Sequence, residues 1–283
     1  MPIIEYDPTR LALLSPESRP TVFVAGSDYT HLQITVEAAR LAYAPAERDS
    51  VALQRLTSAL GFAGFSKPRI FTDPVTGSEA FGAYRQTDGL ALVAFRGTQP
   101  EDVSDIATDI QFNRVQWQPG TGTVHAGFAK AALALMEPVR QWLQSDAISR
   151  KHLMLTGHSL GAALATLLAT VFQPARLVTI GSPRVGDQAF AASFGGIDST
   201  RLVDCCDVVT DIPPEGLFYS HVTPMTYISR DGIIEQGFDS AAISADRSSA
   251  RARYFIDHAW KVGNVIVRDL ADHAPINYVR AVF

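Results

Sequence analysis

Apolar positions recur along the chain with two different periods. Leu32–Ala44 repeats Ile34, Val36, Ala38, Ala39, Leu41 and Ala42 at helical spacing and stops before Pro45. Val51–Leu60 is a second helical stretch, broken at Gly61 to Gly64. Ile70–Thr72 and Ala80–Gln86 read as strands around a turn at residues 73–77, and the unbroken apolar run Leu90–Phe95 predicts a buried central strand. Residues 99–122 are irregular or weakly helical, and a helix containing Pro138 follows through about Leu143. Leu153–Leu155, Leu177–Ile180, Arg201–Cys206 and Met225–Ser229 read as further strands, whereas Ile243–Ala271 predicts one or two long helices. Strands alternating with helices predict an α/β chain, its central sheet mostly parallel with helices on both faces. The chain carries no repeat, low-complexity tract or linker, so residues 1–283 are expected to form one domain.

The 283 residues are 47% hydrophobic and 19% charged, enough apolar material for a sizeable core. A net charge of −5 with no dense basic stretch argues against a nucleic-acid partner. No apolar run is long enough to span a bilayer. Residues 1–20 carry four prolines and two arginines without an apolar core segment, so no secretory leader is expected. Cys205 and Cys206 are adjacent, where a bridge would be strained, and they read as small apolar groups in a buried strand. No ligand cluster has metal spacing, and neither a metal nor an organic cofactor is expected.

The chemistry concentrates at residues 153–166. The apolar Leu153, Met154 and Leu155 lead into Thr156-Gly157-His158-Ser159-Leu160-Gly161, and an Ala/Leu-rich segment with helical spacing follows. This is G-x-S-x-G between a strand and a helix, the context of a nucleophile elbow. Ser159 would sit on a sharp, strained turn, with Gly157 and Gly161 leaving room for neighbouring backbone. The helix end after Ser159 and the Leu160 N–H would face a developing oxyanion. The plainer reading is a serine that merely caps a helix.

A serine hydroxyl needs a base, and the base an orienting carboxylate, in the chain order Ser, acid, His for this class. Asp204, Asp207 and Asp211 cluster near the Arg201–Cys206 strand, and Asp207 stands where that strand is expected to end. Among the downstream histidines, His221, His258 and His273, the last lies at a helix end just before Pro275, from where an imidazole can be aimed over a site. Thr98, after Phe95-Arg96-Gly97, offers a second oxyanion donor or simply a turn.

These segments stand in a characteristic order: Phe-Arg-Gly-Thr at 95–98, Val-His-Ala-Gly-Phe at 124–128, the elbow, Gly-Ser-Pro-Arg-Val-Gly-Asp at 181–187, Asp207 to Pro214, and Asp-His-Ala-Pro-Ile-Asn-Tyr at 272–278. Together they resemble the class 3 (fungal-type, triacylglycerol) lipase family, an α/β-hydrolase fold, over roughly Leu32 to Val282. The resemblance implies Ser159 as nucleophile, Asp207 as triad acid, His273 as base, and Thr98 with Leu160 as the oxyanion hole. It implies a small-molecule ester or lipid substrate cleaved through an acyl-enzyme, and it sets His221 near the site without making it the base. Phospholipase A1 and feruloyl-type esterase chemistry share this scaffold, and a silent binding protein on it would have lost a triad member.

Three departures stand out. Thr210 replaces a proline usual in the family, the disulfides of secreted fungal members cannot form here, and residues 231–257 match no family segment. The stretch matching the family lid, about 99–112, sets Val103, Ile106, Ala107 and Ile110 at helical spacing against Glu101, Asp102, Asp105 and Asp109. Such a cover implies transient contact with a lipid interface. Its four acids argue for modest interfacial activation and for turnover of soluble short- or medium-chain esters.

Overall fold

The computed structural model describes residues 4–98, 113–145 and 148–283. The expected lid at 99–112 lies outside the described residues. Among the described residues one sheet holds seven strands in the order β1 (Arg69–Asp73), β2 (Ser78–Arg85), β3 (Leu90–Phe95), β6 (His152–His158), β7 (Arg176–Ile180), β8 (Asp198–Asp204) and β9 (Met225–Ile228). The short strands β4 (Arg114–Gln116) and β5 (Thr123–His125) pair separately. In the seven-stranded sheet β1, β2 and β3 run antiparallel, and the pairings of β3, β6, β7, β8 and β9 are parallel, with Phe95 opposite Gly157 and Gly157 opposite Thr179.

The central strands are buried on both sides, so their continuous apolar runs divide by alternation. Ala91, Val93, Phe95, Leu153 and Leu155 face a core shared with α4 (Ala126–Leu143) and α5 (Leu160–Ala169). Leu90, Leu92, Ala94 and Met154 face the opposite core, built on α2 (His31–Leu41) and α3 (Ser50–Phe62). Val178, Ile180 and Leu202 extend that second side onto α1 (Arg10–Leu14) and α9 (Pro275–Arg280). This is the mostly parallel sheet with helices on both faces that the sequence pattern predicts. Two boundaries differ from it. β8 stops at Asp204, because Cys206 N–H donates to the Asp272 carboxylate (3.0 Å) and Asp207 N–H turns back onto the Asp204 carbonyl (2.8 Å). Cys205 and Cys206 are therefore buried in a turn rather than a strand. The long helical stretch divides into α7 (Ser240–Asp257) and the short α8 (Arg268–Ala271). Between them Gly263 adopts φ 91°, and its carbonyl accepts from Arg10 N–H, which fixes an irregular connection.

α2 begins with a capping box, Thr30 and Gln33 exchanging bonds with each other's backbone. It carries a fully buried ion pair: Arg40 Nε donates to Glu37 (2.8 Å), while the same guanidinium donates to the carbonyls of Pro16, Arg19 and Pro20. Thr21 Oγ1 donates to Glu37 (2.8 Å), so the segment 16–21 is tied to α2 through one buried charge pair. Arg40→Met should strand Glu37 in the core and lower the unfolding free energy by about 3–5 kcal/mol, read from a urea titration.

Candidate active site

Where β6 meets α5, the backbone has no spare room. A Cβ at Gly157 would strike the Gly161 backbone, and one at Gly161 would strike the carbonyl of Phe95 at the end of β3. Two glycines thus let a helix approach two strand ends, and the residue between them absorbs the bend. Ser159 does so at φ 56°, ψ −125°, a left-handed conformation that a non-glycine adopts only at a cost of about 1–3 kcal/mol. It occupies the N-cap position of α5, yet its side chain makes no capping hydrogen bond. Its hydroxyl is buried and has no partner among the described residues. A serine serving as a helix cap would use that oxygen, so the plainer reading of the motif fails here.

The loop after β3 presses on the same corner. A Cβ at Gly97 would collide with the Tyr43 hydroxyl and lie 2.8 Å from the His158 carbonyl. Thr98 and Leu160 line the cavity that contains Ser159, together with Val75, Thr76, Phe128, Lys130 and Ala131. The cavity has a volume of about 380 Å³. His125 also lines it, stacked on Phe128 with ring centroids 4.1 Å apart. In the sequence His125 appears only within the Val-His-Ala-Gly-Phe segment, and nothing singles out Lys130.

Of the three candidate acids, Asp207 meets a histidine. Its Oδ1 accepts from Val209 N–H (2.9 Å) and both oxygens lie 2.9 Å from His273 Nδ1. Tyr278 donates its hydroxyl to Oδ2 and accepts from Asp204 N–H (3.1 Å). Asp207, His273 and Tyr278 are fully buried. Gly181, at φ 58°, backs the pair: a Cβ there would lie 2.8 Å from Asp207 Oδ2 and 3.1 Å from the His273 ring. Asp204 ends β8 with its carboxyl held well above the usual range, by burial first and by Asp272 second. Asp211 reaches the surface beside Arg247 (3.4 Å).

The other downstream histidines are engaged elsewhere. His221 Nε2 lies 2.8 Å from the Thr210 carbonyl, and burial with Arg201 and Arg184 nearby lowers it to about 3. His258 follows the end of α7, against Tyr6 and Tyr254. His273 lies between α8 and α9, and its Nε2 is buried without a partner among the described residues. A neutral ring whose Nδ1–H is held by Asp207 leaves Nε2 as the basic nitrogen.

His158, which the sequence shows only as part of the elbow, is a further buried imidazole. Its ring lies 4.3 Å from that of His273, and its Nδ1 is 2.7 Å from the Tyr43 hydroxyl. Burial, and then the neighbouring His273, push it well below its ordinary value. A neutral ring there lets His273 take up a proton without a second positive charge against it. Tyr278, also missed, lies five residues beyond His273, within the segment that carries the resemblance, but nothing in its residue type announces a bond to Asp207.

Among the described residues, Cys205 Sγ, Cys206 Sγ and an Asp272 oxygen lie within 4.8 Å of one another. Asp272 already accepts from Tyr6, Cys206 N–H and Arg268, and a guanidinium this close opposes a cation. The cluster is a structural joint beneath His273.

Residues 92–217 match the family model described as Lipase (class 3). A lipase of Rhizomucor miehei is 32% identical over 158 residues, 51% of this chain and 43% of that protein. A chloroplastic phospholipase A(1) of Arabidopsis thaliana is 40% identical over 86 residues, 27% of this chain and 19% of that protein. The chain thus spans less than half the length of these curated relatives. A mono- and diacylglycerol lipase from Aspergillus oryzae superposes with a TM-score of 0.59 at 24% identity, over 71% of this chain and 81% of that one. The fold is the α/β-hydrolase fold.

Because His158 is neutral in the folded state, the unfolded chain gains the extra proton as pH falls below the ordinary value of 6.5. Stability should therefore decline from pH 6.5 downward, by up to about 1.4 kcal/mol per pH unit for each such histidine. Urea midpoints between pH 7 and pH 5 should show the decline, with a shallower slope in His158→Asn.

Proposed function

We propose that this chain, which belongs to the class 3 lipase family, is a serine carboxylic-ester hydrolase. The observation that carries the reading is Ser159 itself: a strained residue between two obligatory glycines, its buried hydroxyl withheld from the helix it precedes. Asp207 and His273 supply the rest of the proposed relay. Ser159 Oγ attacks the ester carbonyl as His273 Nε2 takes its proton, and Asp207 holds the imidazole through Nδ1 and offsets its positive charge. The backbone N–H of Leu160, at the start of α5, and Thr98 are proposed to hold the oxyanion. The alcohol leaves with the proton from His273, and water repeats the sequence on the acyl-enzyme. Tyr278 acts through Asp207 and is a positioning residue. In this reading the whole chain is one hydrolase domain, with residues 99–112 as its cover in transient contact with lipid.

The cavity of about 380 Å³, lined by Val75, Phe128 and Ala131, suits an acyl group of modest length. We therefore infer short- and medium-chain esters, acylglycerols included, as substrates. A second reading, phospholipase A1 activity, is favoured by Lys130, an exposed residue among those lining the cavity, whose ammonium would pair with a phosphodiester.

A fluorophosphonate probe should label the protein and fail to label Ser159→Ala. Labelling that survives the substitution would remove Ser159 from the mechanism. Tyr278→Phe should lower kcat on nitrophenyl butyrate about tenfold with KM nearly unchanged, the loss of one charge-assisted hydrogen bond. In a series of substrates, dissolved butyrate ester should be turned over faster than emulsified long-chain triglyceride. Lys130→Ala should slow hydrolysis of dispersed phosphatidylglycerol and spare the butyrate ester if the second reading holds.

A further inference from the structure

The end of α7 and the connection to α8 invert the usual arrangement of a surface loop. Phe255, Ile256, Trp260, Val262, Ile266 and Val267 are all exposed, Trp260 at 72% and Val262 completely. Soluble surfaces seldom gather this much apolar area in thirteen consecutive residues, 255–267. Several of the loop's polar groups, meanwhile, are bonded within it or to residues 8 and 10. Tyr254 donates to the Val265 carbonyl (2.6 Å), Asn264 Nδ2 to the His258 carbonyl (3.1 Å), and Val265 N–H to the Pro8 carbonyl (2.8 Å). Even the indole N–H of Trp260 is used, donating to the Ile256 carbonyl (2.8 Å), so the ring asks nothing of water. The apolar side chains are thus displayed by a fixed scaffold.

We propose that residues 255–267 form a docking surface for lipid bearing anionic headgroups. Two observations select that occupant. The first is charge: Lys261 makes no ion pair among the described residues and Arg253 is exposed beside only the half-exposed Asp257, whereas Arg251 and Arg268 are held by Asp269 and Asp272, in a chain whose net charge is −5. Lys261 Nζ lies 5.7 Å from the Trp260 ring, an apolar body rimmed by an ammonium, the arrangement that seats side chains at a headgroup boundary. The second is shape: with Val262 wholly clear of its neighbours at the turn made by Gly263, the apolar groups form a protruding tip rather than a groove. A tip enters a deformable lipid layer; a protein partner would need a matching pocket. The proposal deepens the ester-hydrolase reading by giving the enzyme a lipid contact outside residues 99–112, and it rests on that reading only for its purpose.

Its test is independent of hydrolysis. Ser159→Ala protein is mixed with vesicles of phosphatidylcholine, with and without phosphatidylglycerol. Trp117 is buried and Trp142 half-buried in the core, so Trp260 is the indole that reports contact. Its emission should shift to the blue, be quenched by lipids brominated on their acyl chains, and respond most to the phosphatidylglycerol vesicles, less so at high salt. Trp260→Phe should remove the signal while sedimentation with vesicles persists. Trp260→Ala combined with Val262→Ser should reduce vesicle partitioning about tenfold or more. With Ser159 intact, the same pair should leave hydrolysis of dissolved nitrophenyl butyrate unchanged. Partitioning unaltered by the pair, absence of vesicle binding, or a dimer in solution that Val262→Ser dissociates would each overturn the proposal. Vesicle binding without any esterase activity would keep this surface and sink the enzyme reading; esterase activity without vesicle binding would do the reverse.

Discussion

Everything at the site depends on how closely α5 approaches the ends of β3 and β6. The approach is possible only because residues 157 and 161 lack a Cβ, and it forces Ser159 out of the ordinary backbone regions. The strain is local, whereas the forces that hold it are not. α5 is buried along almost its whole length, with Leu164, Leu167 and Leu168 in the core it shares with α4 and the sheet. Several kilocalories of apolar burial on one helix outweigh the roughly 1–3 kcal/mol cost of a single unfavourable residue.

The acid–imidazole pair shows a second balance. A carboxylate and an imidazole removed from water lose hydration, and three donors to Asp207 compensate: Val209 N–H, the Tyr278 hydroxyl and the His273 ring. Gly181 lets the backbone of the loop after β7 lie against both the carboxylate and the imidazole without intruding. His158 contributes by being uncharged. A polar network this dry is specific because every misplacement leaves a group unsatisfied.

What the sequence made legible follows from range. The strand runs, the elbow, and the positions of Asp207 and His273 relative to their elements depend on local patterns or on chain order, and these can be read along a line. Leu90–Phe95 matched its strand to the residue, and His273 was set apart from the other downstream histidines by its place at a helix end before Pro275. The exceptions are interactions across the fold. β8 ends early because Asp272, sixty-six residues away, takes the Cys206 N–H. α7 and α8 separate because residues 9 and 10 claim the backbone between them. Tyr43, His158 and Tyr278 take their roles from neighbours that no periodicity identifies. Lys130 and His125 join the cavity wall because α4 starts at the mouth of the sheet, a placement that spacing alone does not contain.

The joint beneath His273 has a consequence for the order of assembly. Tyr6 meets Asp272 across 266 residues, and the Asp7 backbone meets Asn277 across 270. Such a closure can form only after most of the intervening chain has found its place. The elbow, by contrast, arises from neighbours along one strand–helix unit. On the proposed relay, a nascent molecule acquires its serine early and its imidazole late, and would stay chemically silent through most of its folding. Ester cleavage would then report the joining of distant segments rather than collapse of the core.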